Sequence, residues 1–361
     1  MCRSMSQLLS IMNLLLLPFA CLYDVVTTVR NIMYNLKILP SETFDMPVIC
    51  VGNLAVGGTG KTPHTEYVVR LLQDNGYKVA VLSRGYRRKT HGFLLANSQT
   101  TAADIGDEPW QIAQKFKDAV VAVDENRCRG IRQIVDGKVT GEVDVIVLDD
   151  AFQHRRVHAG LNILLTDSSR LYTSDYLLPA GRLRENWRGS RRAQIIIVTK
   201  LTADIGEGTA LRYFDTLDIQ DDQDIYFSRY RYGDLYNATA SLPLSSLADY
   251  NVLLVTGIAN PKPLYDELNK HTEVMTISFA DHHDFTDKDC RKIQAVFDAM
   301  PADKPKIIVT TEKDMGRLLP KKLVNQDNIY ALPIEVEILR NEKEVLNKQI
   351  LDYVRENKRN G

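Results

Sequence analysis

With 361 residues the chain exceeds one average domain and predicts about two packed modules. Its 44 % apolar and 25 % charged residues are ordinary globular usage, which excludes disorder for most of its length, and a balance of 45 basic against 46 acidic residues leaves a net charge of −1, without the overall field that captures nucleic acid through its phosphates. The five cysteines (Cys2, Cys21, Cys50, Cys128, Cys290) are odd in number and form no C-x-x-C pair, so neither a disulfide framework nor a zinc knuckle is expected and a reducing cytoplasmic setting fits.

The run Leu8–Tyr23 is apolar apart from Ser10, Asn13 and Pro18, and is flanked by Arg3, Arg30 and Lys37. A membrane span needs about 20 apolar residues, so this run is short for one and reads as an interfacial helix whose basic edges suit anionic headgroups. A core helix or a signal peptide are the alternatives; Leu17-Pro18-Phe19-Ala20-Cys21 loosely resembles a lipoprotein cleavage site, but the nucleotide motif downstream would be useless outside the cell.

From Pro47 onward, short β-branched runs alternate with helix-length amphipathic segments, the pattern of a parallel sheet covered by helices on both faces. The expected strands are Val48–Gly52, Lys78–Ser83, Ala119–Val123, Val143–Leu148, Asn162–Thr166 and Gln194–Thr199. After a polar stretch around Gly206–Asp224, Ile225–Tyr232 reads as an extended connector to a second series, with strands Val252–Thr256, Val274–Phe279 and Lys306–Thr311. Helices are expected near Lys262–Lys270 and Thr286–Met300, and a charged one over Arg340–Asn357. The predicted organisation is an N-terminal membrane-associated helix (1–40), a P-loop domain (41–224), and linker strands with a smaller α/β domain (225–361).

The strongest local signal is the stretch from Val51 to Pro63, with Ala55-Val56-Gly57-Gly58-Thr59-Gly60-Lys61-Thr62 at its centre, set between an apolar strand and the helix pattern Thr65–Leu72. Glycines let backbone N–H groups turn inward around a β-phosphate, Lys61 can reach the β and γ oxygens, and the Thr62 hydroxyl can bind Mg²⁺. Pro63 costs little in a first helical turn. Ala55 stands where the generic G-x-x-x-x-G-K-[ST] pattern has glycine. Its partner signal is Glu142–Asp150, an apolar strand ending in Asp149 and Asp150, which resembles a Walker B strand; carboxylates at the carboxyl edge of a parallel sheet face the ligand crevice and can hold magnesium.

The chain has no good guanine signature: Thr199-Lys200-Leu201-Thr202 puts threonine where [NT]-K-x-D requires aspartate, so ATP is favoured over GTP. Arg84, Arg87, Arg88 and Lys89, in the segment after the second strand, offer four cations for an anionic substrate, or else form a solvated charge run. Asp107, in Gly106-Asp107-Glu108-Pro109, is either a helix cap or the general base for an acceptor hydroxyl. Phe279-Ala280-Asp281-His282-His283-Asp284-Phe285 could bind metal, but adjacent histidines on a loop do not easily share one ion, and a histidine that orients or protonates Asp107 when two modules close is more economical.

In their order, these segments resemble the tetraacyldisaccharide 4′-kinase family over nearly the whole chain. The resemblance includes Asp149-Asp150-Ala151-Phe152-Gln153-His154-Arg155, Leu178-Pro179-Ala180-Gly181-Arg182-Leu183-Arg184-Glu185 and Thr311–Asp314, and the family shares the Ala55 variant of the loop. It implies a P-loop kinase with bound ATP and Mg²⁺, at the cytoplasmic face of the bacterial inner membrane. Such an enzyme moves the γ-phosphoryl to the 4′-hydroxyl of a tetraacylated disaccharide 1-phosphate, giving lipid IVA, with no nucleic acid and no obligate protein partner. By position, Asp107 would be the base and His282 its partner, with His283 a lesser substitute; Asp149 and Asp150 would serve magnesium and the developing charge, and Arg184, Glu185 and Arg127 would lie near the phosphates and metal. Asn186 stands where proline is expected in many relatives. A metallochaperone or targeting NTPase, and a soluble small-molecule kinase, are the competing readings. A tetraacylated sugar leaves a bilayer at a cost of about 0.8 kcal/mol per CH₂, so a kinase for it has to work at the membrane surface.

Overall fold

The computed structural model describes residues 2–137, 140–281, 283–321 and 326–357. The first series of strands comprises β1 (Val48–Asn53), β2 (Val79–Ser83), β3 (Leu94–Leu95), β4 (Val120–Val123), β5 (Val145–Asp149), β6 (Leu161–Asp167), β7 (Ile195–Thr199) and β8 (Asp224–Tyr232). The second comprises β9 (Leu235–Tyr236), β10 (Ser241–Leu242), β11 (Asn251–Thr256), β12 (Val274–Ser278), β13 (Lys306–Thr311) and β14 (Ile329–Leu332), and a late strand, β15 (Ile334–Ile338), returns to the first sheet. The sheet orders are β15-β8-β7-β6-β1-β5-β2-β4-β3 and β10-β9-β14-β13-β11-β12.

In the first sheet β8-β7-β6-β1-β5-β2-β4 are parallel, so their carboxyl ends share one edge. Runs such as Ile195–Thr199 and Val145–Asp149 are buried at every position, as strands covered on both faces must be. β1 lies between β5 and β6, with Val51 opposite Asp149, so the glycine-rich turn after β1 and the carboxylates after β5 emerge side by side. The short edge strand β3 pairs antiparallel with β4; its two residues carry too little periodicity to be read from sequence.

The chain divides into two units that differ from the sequence-based boundaries: residues 1–99, 116–230 and 336–361 form the first, and 100–115 with 231–335 the second. Long-range contacts explain the difference. The helix Asp107–Lys115 follows β2 in sequence, but its Trp110 packs so tightly on Gly316 that no Cβ would fit there, and Lys115 pairs with Glu312 at 2.8 Å. The C-terminal helix Lys343–Glu356 belongs to the first unit instead: Tyr353 bonds to both the N–H and the carbonyl of Val48 (3.1 Å each), and Leu346, Ile350 and Val354 are buried.

The N-terminal helix, Cys2–Asn35, is also part of the first unit. It continues beyond the apolar run, through Asp24 and Arg30, and its Leu15–Asn35 stretch is long and apolar enough to cross a membrane by length and composition, a length the shorter run does not reach. Tyr23, Thr27 and Asn31, spaced by four, lie on one face together with Asp24 and bond to the unit or to the helix backbone. Leu15, Phe19, Leu22, Val25, Val26, Val29, Ile32 and Leu36 are exposed.

Candidate functional site

The turn after β1 is shaped by glycines at two strict positions. A Cβ on Gly52 would lie 2.7 Å from the Phe152 Cβ, and Gly60 caps the helix Lys61–Asp74 with φ 93°, a left-handed conformation in which a Cβ would also collide with the Tyr230 hydroxyl. Gly57 and Gly58 face open space, leaving that part of the loop bare of side chains. Asn53, fully buried at the end of β1, donates from Nδ2 to Thr59 Oγ1 at 2.6 Å and so fixes the turn across its mouth. His64 holds the far side, with Nδ1 2.7 Å from the Gly60 carbonyl and Nε2 3.0 Å from Ser228 Oγ, and burial lowers its pKa to about 4.

Two distant segments are laced to this loop. Ala55 bridges Leu183, Val56 donates to the Arg182 carbonyl and Arg184 to that of Leu54, each at 2.7 Å, so the Gly-Arg-Leu-Arg-Glu segment runs as a short ribbon beside it. At the end of β7, Thr199 Oγ1 donates to the Thr59 carbonyl at 2.8 Å, while Lys200 bonds to the Gly58 carbonyl and pairs with Asp167 at 2.7 Å.

The structure collects most of the sequence-selected charges here. Lys61 Nζ lies 3.8 Å from Asp150, which Arg184 also pairs at 2.6 Å, and the same guanidinium bonds to Asn53. Burial raises the Asp150 pKa, but the cations Lys61 and Arg184 outweigh it and hold the carboxyl below its usual range. Asp150 also adopts a left-handed φ of 49°, which turns the chain sharply off the strand. Asp149, fully buried, accepts from Thr65 at 3.1 Å. Arg127, nearly fully buried, donates to the Asp124 carbonyl at 2.8 Å and the Asp149 carbonyl at 3.5 Å; desolvation lowers its pKa to about 10 against the pull of Asp149 and Asp150. Thr62 is half-buried in the first turn of the helix. Glu185 is fully buried and accepts from Asn31 (2.7 Å), Gln153 (3.1 Å) and Arg192 (2.8 Å).

This cluster carries unmet hydrogen-bonding capacity. Among the described residues, Arg127 Nε, Arg184 Nε, Gln153 Oε1 and His154 Nε2 are buried without a protein partner, at a cost of about 1–3 kcal/mol each unless a ligand or water meets them. A bare loop and buried guanidiniums suit a polyphosphate. Among the described residues, no three His, Cys, Asp or Glu side chains form a metal cage. One or two carboxylates and a hydroxyl are nevertheless the protein's usual share of a Mg²⁺ shell completed by phosphate and water, and hydrogen-bond donors behind a carboxylate are the usual support for a ligand, so the donor set fits this ion.

Asp107 lies in the second unit. It opens the helix Asp107–Lys115 and is paired by Arg317, whose other nitrogen lies 3.3 Å from the fully buried Asp314; Asp314 in turn accepts from the N–H of Gly257 at 2.8 Å and from Thr311 at 2.9 Å. Asp107 is thus a carboxylate held by an arginine from the helix Glu312–Leu318 that follows β13, a partner more than two hundred residues away that gives no sequence signal. His282 lies outside the described residues. His283 stacks on Phe279 (centroids 4.8 Å apart, planes at 16°) and its Nε2 bonds at 3.0 Å to Asp289, the capping-box residue of the helix Asp287–Ala299, so that nitrogen is already committed locally. Asp107 and this histidine loop belong to the same unit, not to opposing modules. Of the four cations after β2, Arg88 is tied to Glu125 at 2.6 Å and to the Gly92 carbonyl; Arg84, Arg87 and Lys89 are exposed. Sequence reading assigned no role to Asn53, His64 or Arg317, and only Asn53, a polar residue ending an apolar strand, left a trace there.

Comparison with known proteins places this arrangement. A family model described as tetraacyldisaccharide-1-P 4′-kinase matches residues 12–355. A tetraacyldisaccharide 4′-kinase of Bacteroides thetaiotaomicron is 49 % identical over 360 residues, covering 96 % of this chain and 94 % of that protein, and one of Flavobacterium johnsoniae is 45 % identical over 351 residues, covering 96 % and 99 %. A crystal structure of LpxK from Aquifex aeolicus in complex with ATP superposes with a TM-score of 0.75 at 30 % identity, covering 95 % of this chain and 99 % of that one.

Proposed function

The chain belongs to the tetraacyldisaccharide 4′-kinase family and is an ATP-dependent kinase of lipid A biosynthesis, and from that premise we propose how its residues divide the work. Lys61 and the turn Gly57–Gly60, bare at Gly57 and Gly58, grip the triphosphate, while Arg127 and Arg184 bring their Nε donors to it. Thr62, Asp149 and Glu185 would hold Mg²⁺, Glu185 being steadied by its three donors, and Asp150 would meet the developing charge. When bound, this ion would supply positive charge against the negative charge that develops on the transferring phosphoryl group. Asp107, oriented by Arg317 and assisted by His282, takes the proton of the acceptor's 4′-hydroxyl.

The acceptor is the tetraacylated disaccharide 1-phosphate, met at the cytoplasmic face of the inner membrane. The N-terminal helix supports this: its polar residues bond to the first unit, while Leu15, Phe19, Leu22, Val25, Val26 and Val29 are exposed, which suits a helix lying in the headgroup layer better than one crossing it. The carrying observation is the Lys61–Asp150–Arg184 cluster at a loop left bare at Gly57 and Gly58, with guanidinium nitrogens that are buried and, among the described residues, without a partner. The test is transfer of labelled γ-phosphate to acylated and deacylated disaccharide 1-phosphates. Label is expected in the acylated lipid and absent with Lys61→Ala. Equal use of the deacylated sugar would replace the lipid-kinase reading with that of a soluble kinase.

A further inference from the structure

The N-terminal helix and the phosphate loop are joined by a continuous run of buried and partly buried polar contacts. Asn31 Nδ2 donates to Glu185 Oε2 at 2.7 Å, and Glu185 Oε1 accepts from Gln153 Nε2 at 3.1 Å. The same Gln153 nitrogen donates to the Asn53 carbonyl at 2.9 Å, and Asn53 Nδ2 reaches Thr59 Oγ1 inside the loop at 2.6 Å. Glu185 and Asn53 are both wholly buried. Two further bonds fasten the helix to the same ribbon: Tyr23 donates to the Arg184 carbonyl at 2.9 Å, and Asn186 donates to Asp24 at 3.1 Å.

A helix that served only as an anchor would need no polar group here, because an apolar inner face would seat it at least as well and an asparagine inside a helix costs some helical propensity. This helix instead sets an amide on a buried carboxylate. Removing the amide leaves one carboxylate oxygen short of a donor in a low-dielectric setting, and the carboxylate then re-aims toward its remaining partners, Gln153 and Arg192.

We propose that Asn31 is a positioning residue for Glu185 and, through Gln153 and Asn53, for the phosphate loop, so that seating of the N-terminal helix on lipid and binding of nucleotide strengthen each other. The inference rests on the reading of Glu185 as a metal-side carboxylate. Thermodynamic linkage makes the coupling reciprocal: whatever factor lipid adds to nucleotide affinity, nucleotide adds to lipid affinity.

The test uses the full chain and a fluorescent ATP analogue, titrated with Mg²⁺ or with EDTA, each with and without vesicles of phosphatidylethanolamine and phosphatidylglycerol. For the unaltered protein, vesicles are expected to tighten nucleotide binding in Mg²⁺, and nucleotide to increase co-sedimentation with vesicles by the same factor. Asn31→Ala should lose both effects and weaken affinity in Mg²⁺ about tenfold, the lower end for a group that supports a metal ligand, and affinity in EDTA by a smaller factor, the part carried by the loop alone. Asn31→Gln, which keeps the amide, should recover part of the loss, and the Asn31→Ala/Gln153→Ala cycle should be non-additive. Should Asn31→Ala fail to fold, Tyr23→Phe removes one hydroxyl from the same seam and is read the same way. If Glu185→Gln abolishes the Mg²⁺ dependence while the Asn31 variants keep both it and the vesicle effect, the coupling is refuted and the role of Glu185 stands. If Glu185→Gln leaves Mg²⁺ dependence intact, both fall.

Discussion

Gly60→Ala puts the geometry of the phosphate loop to a quantitative test. Gly60 holds φ 93°, where an L-residue pays about 1–2 kcal/mol, and the new methyl would meet the Tyr230 hydroxyl, with His64 Nδ1 3.4 Å away. Forcing a methyl into so tight a position adds about 1–3 kcal/mol, for a total of about 2–5 kcal/mol. The loop escapes this strain by leaving the shape that receives phosphate, which at 1.4 kcal/mol per decade weakens ATP binding by at least about 30-fold. Tyr230→Phe removes the colliding oxygen, so Gly60→Ala/Tyr230→Phe should regain the steric part and keep only the backbone part, about tenfold below the unaltered protein. Calorimetric titration of full-length protein with ATP, beside denaturation midpoints, reads both terms. Gly60→Ala binding ATP with unchanged affinity would refute the reasoning, and a double variant as impaired as the single one would remove Tyr230 from it.

Acid should loosen the first unit before it protonates the carboxylates. His64 titrates near 4 in the fold against about 6.5 unfolded, so the unfolded chain binds the extra proton between those values; stability is whole above pH 6.5 and falls by about 3 kcal/mol as pH drops to 4, with His154, also near 4, acting in the same direction. A urea midpoint that stays flat from pH 7 to 4.5 contradicts this, and His64→Asn should flatten part of the slope. Asp107→Asn should slow phosphoryl transfer about 10²- to 10⁴-fold while ATP affinity stays within about twofold; transfer at the normal rate would exclude it as the base. Leu22→Ser with Val29→Ser, on the exposed side of the first helix, should weaken vesicle binding by at least about 100-fold, since burial of each such side chain is worth about 1.5–3 kcal/mol, and unchanged sedimentation would show that this side does not meet lipid.

Features set by neighbours along the chain were determined by sequence alone. Glycine spacing before Lys61 predicts a bare turn because only glycine tolerates φ 93° at Gly60, and fully apolar runs such as Ile195–Thr199 predict buried parallel strands because both their faces must be covered. The Asp149–Asp150 pair could likewise be placed at a strand end, since the apolar run stops there. What tertiary structure decided is every pairing whose members are far apart in sequence. Asn31 meets Glu185 across 154 residues and Arg317 meets Asp107 across 210, and no periodicity encodes either. The same cause moved the unit boundaries: residues 100–115 follow a strand of one sheet, yet Trp110 and Lys115 find their partners in Gly316 and Glu312. A hydrogen bond or a buried contact rewards proximity in space, and chain order constrains that only over a turn or two, so local chemistry was legible in the sequence and the wiring between its parts was not.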